Sequence, residues 1–379
     1  MDWFSNSKQG AARKLLPLLA DAARRDRAAQ ELIRLGADSV PVMMEALQTQ
    51  DLSLLVLYQH ILARIPSASP ELAKALRSAH PLIRGRVAEV FAIRGDRNAV
   101  PVLLEALTGE FFTVRARAAL ALGNIGDAQT LPDLLPLLKD SEGEVRIAAC
   151  IAVGKFCDPS TFDDLANVLL DDPLIDVRQA AVGALGETRH PAAIPFLMEA
   201  LRDSFWWFER EQSVHDLLTA IENMGQPAVE PLIDALLDRE GTVRKFAAIL
   251  LGKLKDSRAI ENLGGLLYDL HHEVSRTAAE ALAQFGTPAI DVFTAALQHP
   301  EAGVRECAVY GLGLIRDEQV GLLLIEMLRD PDRGVRSQAI HSIVKLRDKR
   351  AVPVLQEIAT NRADRELATS AKTAIEKIG

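Results

Sequence analysis

Aromatic side chains make up only 5% of this 379-residue sequence, and no apolar run reaches the length of a membrane span. Cysteine occurs three times, at Cys150, Cys157 and Cys307, too few and too scattered for a disulfide framework or a four-ligand zinc site. A β-sandwich of this size would use more Val, Thr and Tyr, so the core has to be helical and built from Ala and Leu. A surplus of positive charge is also missing: 43 basic residues against 52 acidic ones leave a net charge of −9. That argues against a general nucleic-acid binder, although a local basic patch stays open. The opening MDWFSNSKQGAARKLL lacks a secretory apolar region, so a soluble cytoplasmic protein with no membrane contact is the default expectation. The phosphate-cradling loop, the dinucleotide fingerprint and HExxH are absent as well.

What the sequence does have is a repeat. Val-Arg or Ile-Arg recurs at Ile83-Arg84, Val114-Arg115, Val145-Arg146, Val177-Arg178, Val243-Arg244, Val304-Arg305 and Val335-Arg336. After the Arg come an Ala-rich stretch, Leu or Val at +7, often Gly at +8, and a helix stop near +11. The stretch RARAALALGNIG from Arg115 to Gly126 carries all of it. Extended to degenerate copies, the column has anchors at 25, 54, 84, 115, 146, 178, 214, 244, 275, 305, 336 and 368. The spacing stays near 31 except between 178 and 214, which is about five residues too long. An array escapes the size limit of a single core because each unit buries its apolar face against its neighbours.

Each unit predicts two helices. Helix A starts where Asp96, Asp127, Asp158, Asp256, Asp317 or Asp348 can cap it, with Pro41, Pro101, Pro132, Pro195, Pro231 or Pro353 in its first turn. Helix B carries apolar residues at +3, +4, +7 and +10, a helical stripe. Gly95, Gly126, Gly225 and Gly286 at +11 suit a stop that needs positive φ. Glycine at +8 (Gly123, Gly154, Gly186, Gly252, Gly313) sits inside helix B, at a cost of up to roughly 1 kcal/mol against Ala. Its recurrence predicts close backbone approach between neighbouring helices.

The pattern D-x-x-x-x-V-R-x-x-A-A-x-A-L-G resembles the short HEAT-like repeat of the phycobilisome-lyase family over nearly the whole chain. The expected fold is all-α: a right-handed α-solenoid of about 12 two-helix repeats, or about 24 helices. One continuous domain, 1–379, is expected, with atypical capping repeats at about 1–66 and 349–379 and an irregular long repeat at about 190–225. The resemblance implies that the Arg column pairs with an Asp column six residues earlier, stapling repeats together without binding ligand. The members are Arg115, Arg146, Arg178, Arg244, Arg305 and Arg336 with Asp140, Asp172, Asp238, Asp269 and Asp330. The column lacks Asp at Ser78, Gly109 and His299, so a partial ladder is expected.

The resemblance also puts helix B along the concave face, where +5 and +9 should point outward. Those columns hold Leu120, Ile151, Ile249 and Tyr310, and Lys155, Asn223 and Lys253, among others. Apolar residues mixed with both signs of charge suit a protein or peptide partner better than a polyanion, although the next repeat could half-bury some of them. The overlong unit holds Phe205-Trp206-Trp207-Phe208. Trp207 continues the core stripe through Arg210, Val214, Leu217, Ile221 and Met224, which leaves at least one of Phe205, Trp206 and Phe208 to be exposed. Phe111 and Phe112 occupy the same type of turn three repeats earlier, roughly 30 Å away along one edge. Two aromatic contacts so far apart suggest one long partner.

No catalytic constellation emerges, and no cofactor, metal or obligate oligomer is expected. His271-His272-Glu273 near Asp269 is the densest metal-capable cluster and reads first as a solvated turn. Deoxyhypusine hydroxylase, also built of HEAT repeats, holds iron with several His-Glu pairs, whereas this chain offers only His272-Glu273. The expected function is therefore a binding scaffold or adaptor. The alternatives are a bilin-lyase-like chromophore-handling factor, implied by the family resemblance, and, further off, a HEAT-type oxidoreductase or hydroxylase and a DNA-repair glycosylase of the same repeat type. The last would pair Trp206 with Glu209 in a basic groove, which the acidic net charge opposes.

Overall fold

The computed structural model describes residues 2–78, 80–202, 211–361 and 363–379. These residues are helical and contain no strand, and the repeats succeed one another as an α-solenoid. The chain divides into two compact units, Met1–Ala200 with Phe205–Ala220 and Leu201–Ser204 with Ile221–Gly379.

In the first unit a typical repeat runs through a 3-10 turn, Arg97–Ala99, into helix A, Val100–Leu107, and then helix B, Phe112–Ile125. The next repeats place helix B at Gly143–Gly154 and Ile175–Thr188. In the second unit helix B occupies Gly241–Leu254, His272–Ala283, Ala302–Leu312 and Arg333–Leu346. Helix A is less regular than the sequence pattern suggests. Leu131–Leu134 is α-helical, whereas Leu135–Lys139 tightens to 3-10. Pro136 has no N–H to return to the carbonyl four residues back, so the α ladder cannot continue there.

The capping aspartates do what their position predicts. Asp96, Asp127, Asp158, Asp256, Asp317 and Asp348 each accept the backbone N–H two residues on. Every positive φ among the described residues falls on the +11 column: Gly36, Gly95, Gly126, Gly225 and Gly286, and also Cys157, Arg189, Lys255 and Arg347. The repeat therefore imposes the left-handed stop even where the residue disfavours it.

The core is aliphatic, with Phe91, Phe162 and Phe293 as its largest fully buried side chains. The +8 glycines set the spacing of the B helices. A Cβ on Gly123 would lie 2.6 Å from the Cα of Ala152, and one on Gly154 would lie 2.8 Å from the Cα of Ala184. Both partners stand at +6 of the following repeat, so the backbones approach too closely for any side chain at +8.

Candidate functional site

The start of helix B carries the arginine column, and its geometry extends one repeat further than the sequence suggested. For Arg115, Arg146, Arg178, Arg244, Arg305 and Arg336 the residue six positions earlier contributes its backbone carbonyl, and for Arg115, Arg146, Arg244 and Arg305 the carboxylate comes from the following repeat. Arg115 donates through Nη1 to the Gly109 carbonyl at 2.9 Å, and through Nε and Nη2 to both oxygens of Asp140 at 2.9 and 2.8 Å. Arg146 repeats this with the Asp140 carbonyl and the Asp172 carboxylate, Arg244 with the Asp238 carbonyl and Asp269, and Arg305 with the His299 carbonyl and Asp330. Arg336 donates to the Asp330 carbonyl at 2.7 Å, and Arg178 to the Asp172 carbonyl at 2.6 Å.

Each Asp of the column also accepts the N–H two residues on, as Asp140 does from Glu142. Burial opposes ionisation of Asp140 and Asp269, but the arginine bond and this N–H outweigh it and hold both pKa values below the ordinary carboxylate range. In Asp330 the Arg305 bond is the largest cause of the same lowering. These are bidentate pairs with little exposure, suited to fixing repeat against repeat.

The expected gaps move accordingly. Arg305 follows His299 and Arg115 follows Gly109, yet both make complete rungs. His299 is matched by Ser275 one repeat earlier, where no Arg asks for a carboxylate. In the irregular unit the anchor is Val214, and Arg202 at the end of the preceding segment reaches Asp238 at 2.8 Å instead. Gly109 is different, because its counterpart is Arg84.

Within each unit, helix-B side chains of successive repeats are tied to one another. Arg117 Nε donates to Glu89 at 2.6 Å, Lys155 to Asn124, and Lys253 to Glu222 at 2.6 Å. Tyr310 donates its hydroxyl to Glu280 at 2.6 Å and lies under the Arg276 guanidinium. Leu120, Ile249 and Tyr310 are half-buried, whereas Ile151, Lys155, Asn223 and Lys253 are exposed. Beside Tyr310 and His341 is a hollow of about 300 Å³.

Phe111 and Phe112 are exposed at the start of their helix B. Phe205, Trp206, Trp207, Phe208 and Glu209 lie outside the described residues. The same row of turns in the first unit also exposes Leu52, Leu82 and Leu174, which the sequence reading passed over. An apolar residue two to four positions before the anchor was the available signal. The buried thiols are not poised for chemistry: burial pushes Cys150 up to about 12 and Cys307 up to about 11. His271 stands at the N-cap position of the helix that His272 opens but makes no side-chain capping bond, and Glu273 is paired with Lys245 at 3.0 Å. Among the described residues no three His, Cys, Asp or Glu side chains are grouped to hold a metal, and no helix is long and apolar enough to cross a membrane.

Among solved structures, the karyopherin Kap121p bound to the extreme C-terminus of the protein phosphatase Cdc14p is similar with a TM-score of 0.53 at 14% identity, covering 98% of this chain and 50% of that one. The Kap95:Nup1 complex matches with a TM-score of 0.53 at 13% identity, over 97% of this chain and 60% of that one. The CpcE–CpcF phycocyanin lyase from Nostoc sp. PCC7120 is 21% identical over 59% of this chain and 92% of that one, with a TM-score of 0.36. No curated protein sequence matches significantly. The HEAT-repeat model matches residues 69–145, 100–181, 131–218, 229–306 and 290–376. Those matches cover well over half of the sequence, and the chain belongs to the HEAT-repeat family.

Proposed function

We propose that this chain is a non-catalytic scaffold that binds a protein or peptide partner. The observation that carries the reading is the surface itself. Exposed apolar residues (Ile93, Ile151, Phe111, Phe112) stand among polar side chains already held by neighbours in the next repeat. Such a surface loses little side-chain entropy on binding and offers the aromatic anchors that dominate protein interfaces. The karyopherin solenoids, whose structures hold a phosphatase C-terminus and a nucleoporin, supply an analogy of fold for this use.

The test is affinity capture with the intact chain and with two variants, Phe111→Ser/Phe112→Ser and Ile151→Asp. Each variant is first checked for unchanged helicity and melting. Loss of the same partners from at least one variant supports the reading. Recovery of identical partners by all three removes these surfaces as the interface. The bilin-lyase reading rests on the repeat motif alone, and an unchanged bilin absorption spectrum on mixing would end it.

A further inference from the structure

Two hollows of the second unit share one side chain. The smaller, about 300 Å³, is lined by Tyr310 and Leu314 from one repeat and by His341 and Lys345 from the next. The larger, about 680 Å³, is lined by Arg316, Lys345, Arg347 and Arg350, and also by three carboxylates. Lys345 borders both, so the two hollows adjoin. Their volumes fall in the range of ligand sites, about 300–1,000 Å³.

The smaller hollow has walls that are already ordered. Tyr310 donates its hydroxyl to Glu280 at 2.6 Å and lies under the Arg276 guanidinium, while His341 Nδ1 donates to the Ser337 carbonyl at 2.8 Å. Tyr310 and Leu314 are half-buried. An apolar side chain that settles on them does not have to order its surroundings first.

The larger hollow has positive charge to spare. Its carboxylates are engaged elsewhere: Asp348 pairs with Arg350 at 2.6 Å, Asp317 accepts the Gln319 N–H at 2.8 Å and the Thr287 hydroxyl at 3.2 Å, and Glu318 lies 3.8 Å from Arg350. Arg316, Lys345 and Arg347 are exposed and make no ion pair or side-chain hydrogen bond among the described residues. One basic residue near a helix C-terminus is ordinary, because it complements the helix dipole. Three that line one hollow, each without a carboxylate of its own, suit negative charge supplied from outside.

We propose that these adjoining hollows receive an acidic segment of the protein partner, its Asp or Glu carboxylates among Arg316, Lys345 and Arg347 and a neighbouring apolar side chain on Tyr310 and Leu314. This deepens the scaffold reading and rests on it. The experiment uses peptide probes, so its failure removes this site and leaves partner capture through Phe111, Phe112 and Ile151 to be judged by its own test.

Fluorescence anisotropy follows binding of fluorescein-labelled Glu-Glu-Leu-Phe-amide to the intact chain, with Gln-Gln-Leu-Phe-amide and Glu-Glu-Ser-Ser-amide as companions. The wild type is expected to bind the first peptide saturably and each companion more weakly. Absence of saturable binding overturns the proposal, as does equal binding of the Gln peptide. Equal binding of the Ser peptide overturns the role of the smaller hollow. Arg347→Gly keeps its helix stop, because glycine suits φ 55°. It is expected to weaken the first peptide about fivefold, and Lys345→Gln to do the same. Lys255→Gly removes one charge at the equivalent stop of another repeat and should change affinity by less than about twofold, since distant charges are screened. Equal weakening by Arg347→Gly and Lys255→Gly would mean that the peptide answers to overall charge, and the site would fall.

Discussion

Two neighbouring rungs of the first unit differ by one side chain. Arg115 meets Asp140 with both groups almost out of solvent, 14% and 12% exposed, and every donor of its fork has a use. Arg84 has the same place in its repeat, meets Gly109, and keeps a buried N–H without an acceptor. The backbone is the same kind of turn in both, since Gly109 and Asp140 each give their carbonyl to the next arginine. The closed rung therefore fixes repeat against repeat, while the one at Arg84 lacks that cross-link. An array of identical staples would be uniformly stiff; omitting one carboxylate leaves one rung of the row without its cross-link.

The comparison is broken most severely by turning the closed rung into an open one. Asp140→Gly is expected to cost about 3 kcal/mol in urea unfolding, because it leaves the Arg115 guanidinium largely buried and unpaired. Arg84→Met, by contrast, should change stability by no more than about 1 kcal/mol, since little pairing is lost and the alkyl stem is kept. A loss from Arg84→Met as large as that from Asp140→Gly would mean that the two rungs are energetically alike.

Acid sharpens the same contrast. Asp140, Asp269 and Asp330 have folded pKa values below their unfolded ones, so their contribution is complete above the unfolded value of about 4. It is lost as pH falls through the folded values. The stability difference between the wild type and Asp140→Gly should accordingly shrink between about pH 5 and pH 2, as measured by urea unfolding at each pH. A difference that holds constant to pH 2 would show that the carboxylate charge is not what the rung uses.

The smallest effect concerns the stops. Lys255 sits at φ 54° in the column where other repeats use glycine. Lys255→Gly should gain about 0.5–1 kcal/mol, seen as a higher melting temperature, whereas the same change at an ordinary helix position would lose as much.

Much of this architecture was legible from residues alone. Asp96 and Asp127 announce a helix start because a short carboxylate can satisfy backbone N–H groups two residues away, an interaction confined to one turn. Gly95 and Gly126 announce a stop for an equally local reason. The same column at Cys157 and Lys255 was predictable only through the repeat, since neither residue favours positive φ. The fit of Gly123 against Ala152 could be suspected from recurrence but not located, because the partner is a backbone from another repeat. The apolar row of Leu52, Leu82 and Leu174 escaped notice because its distance from the anchor varies between two and four residues, so it forms no single column.

The arginine ladder divides most clearly between the two levels. By itself the sequence determined that an Arg column and an Asp column recur, since both follow the period. Only the tertiary structure decided that Arg115, Arg146, Arg244 and Arg305 take their own turn's carbonyl and the next repeat's carboxylate. The physical reason is reach: a guanidinium chooses acceptors by distance in space, and Arg146 pairs with the carboxylate of Asp172, 26 residues ahead, not with that of Asp140 six behind. That choice makes His299 harmless and leaves Arg84, opposite Gly109, without the carboxylate that its counterparts Arg115, Arg146, Arg244 and Arg305 pair with.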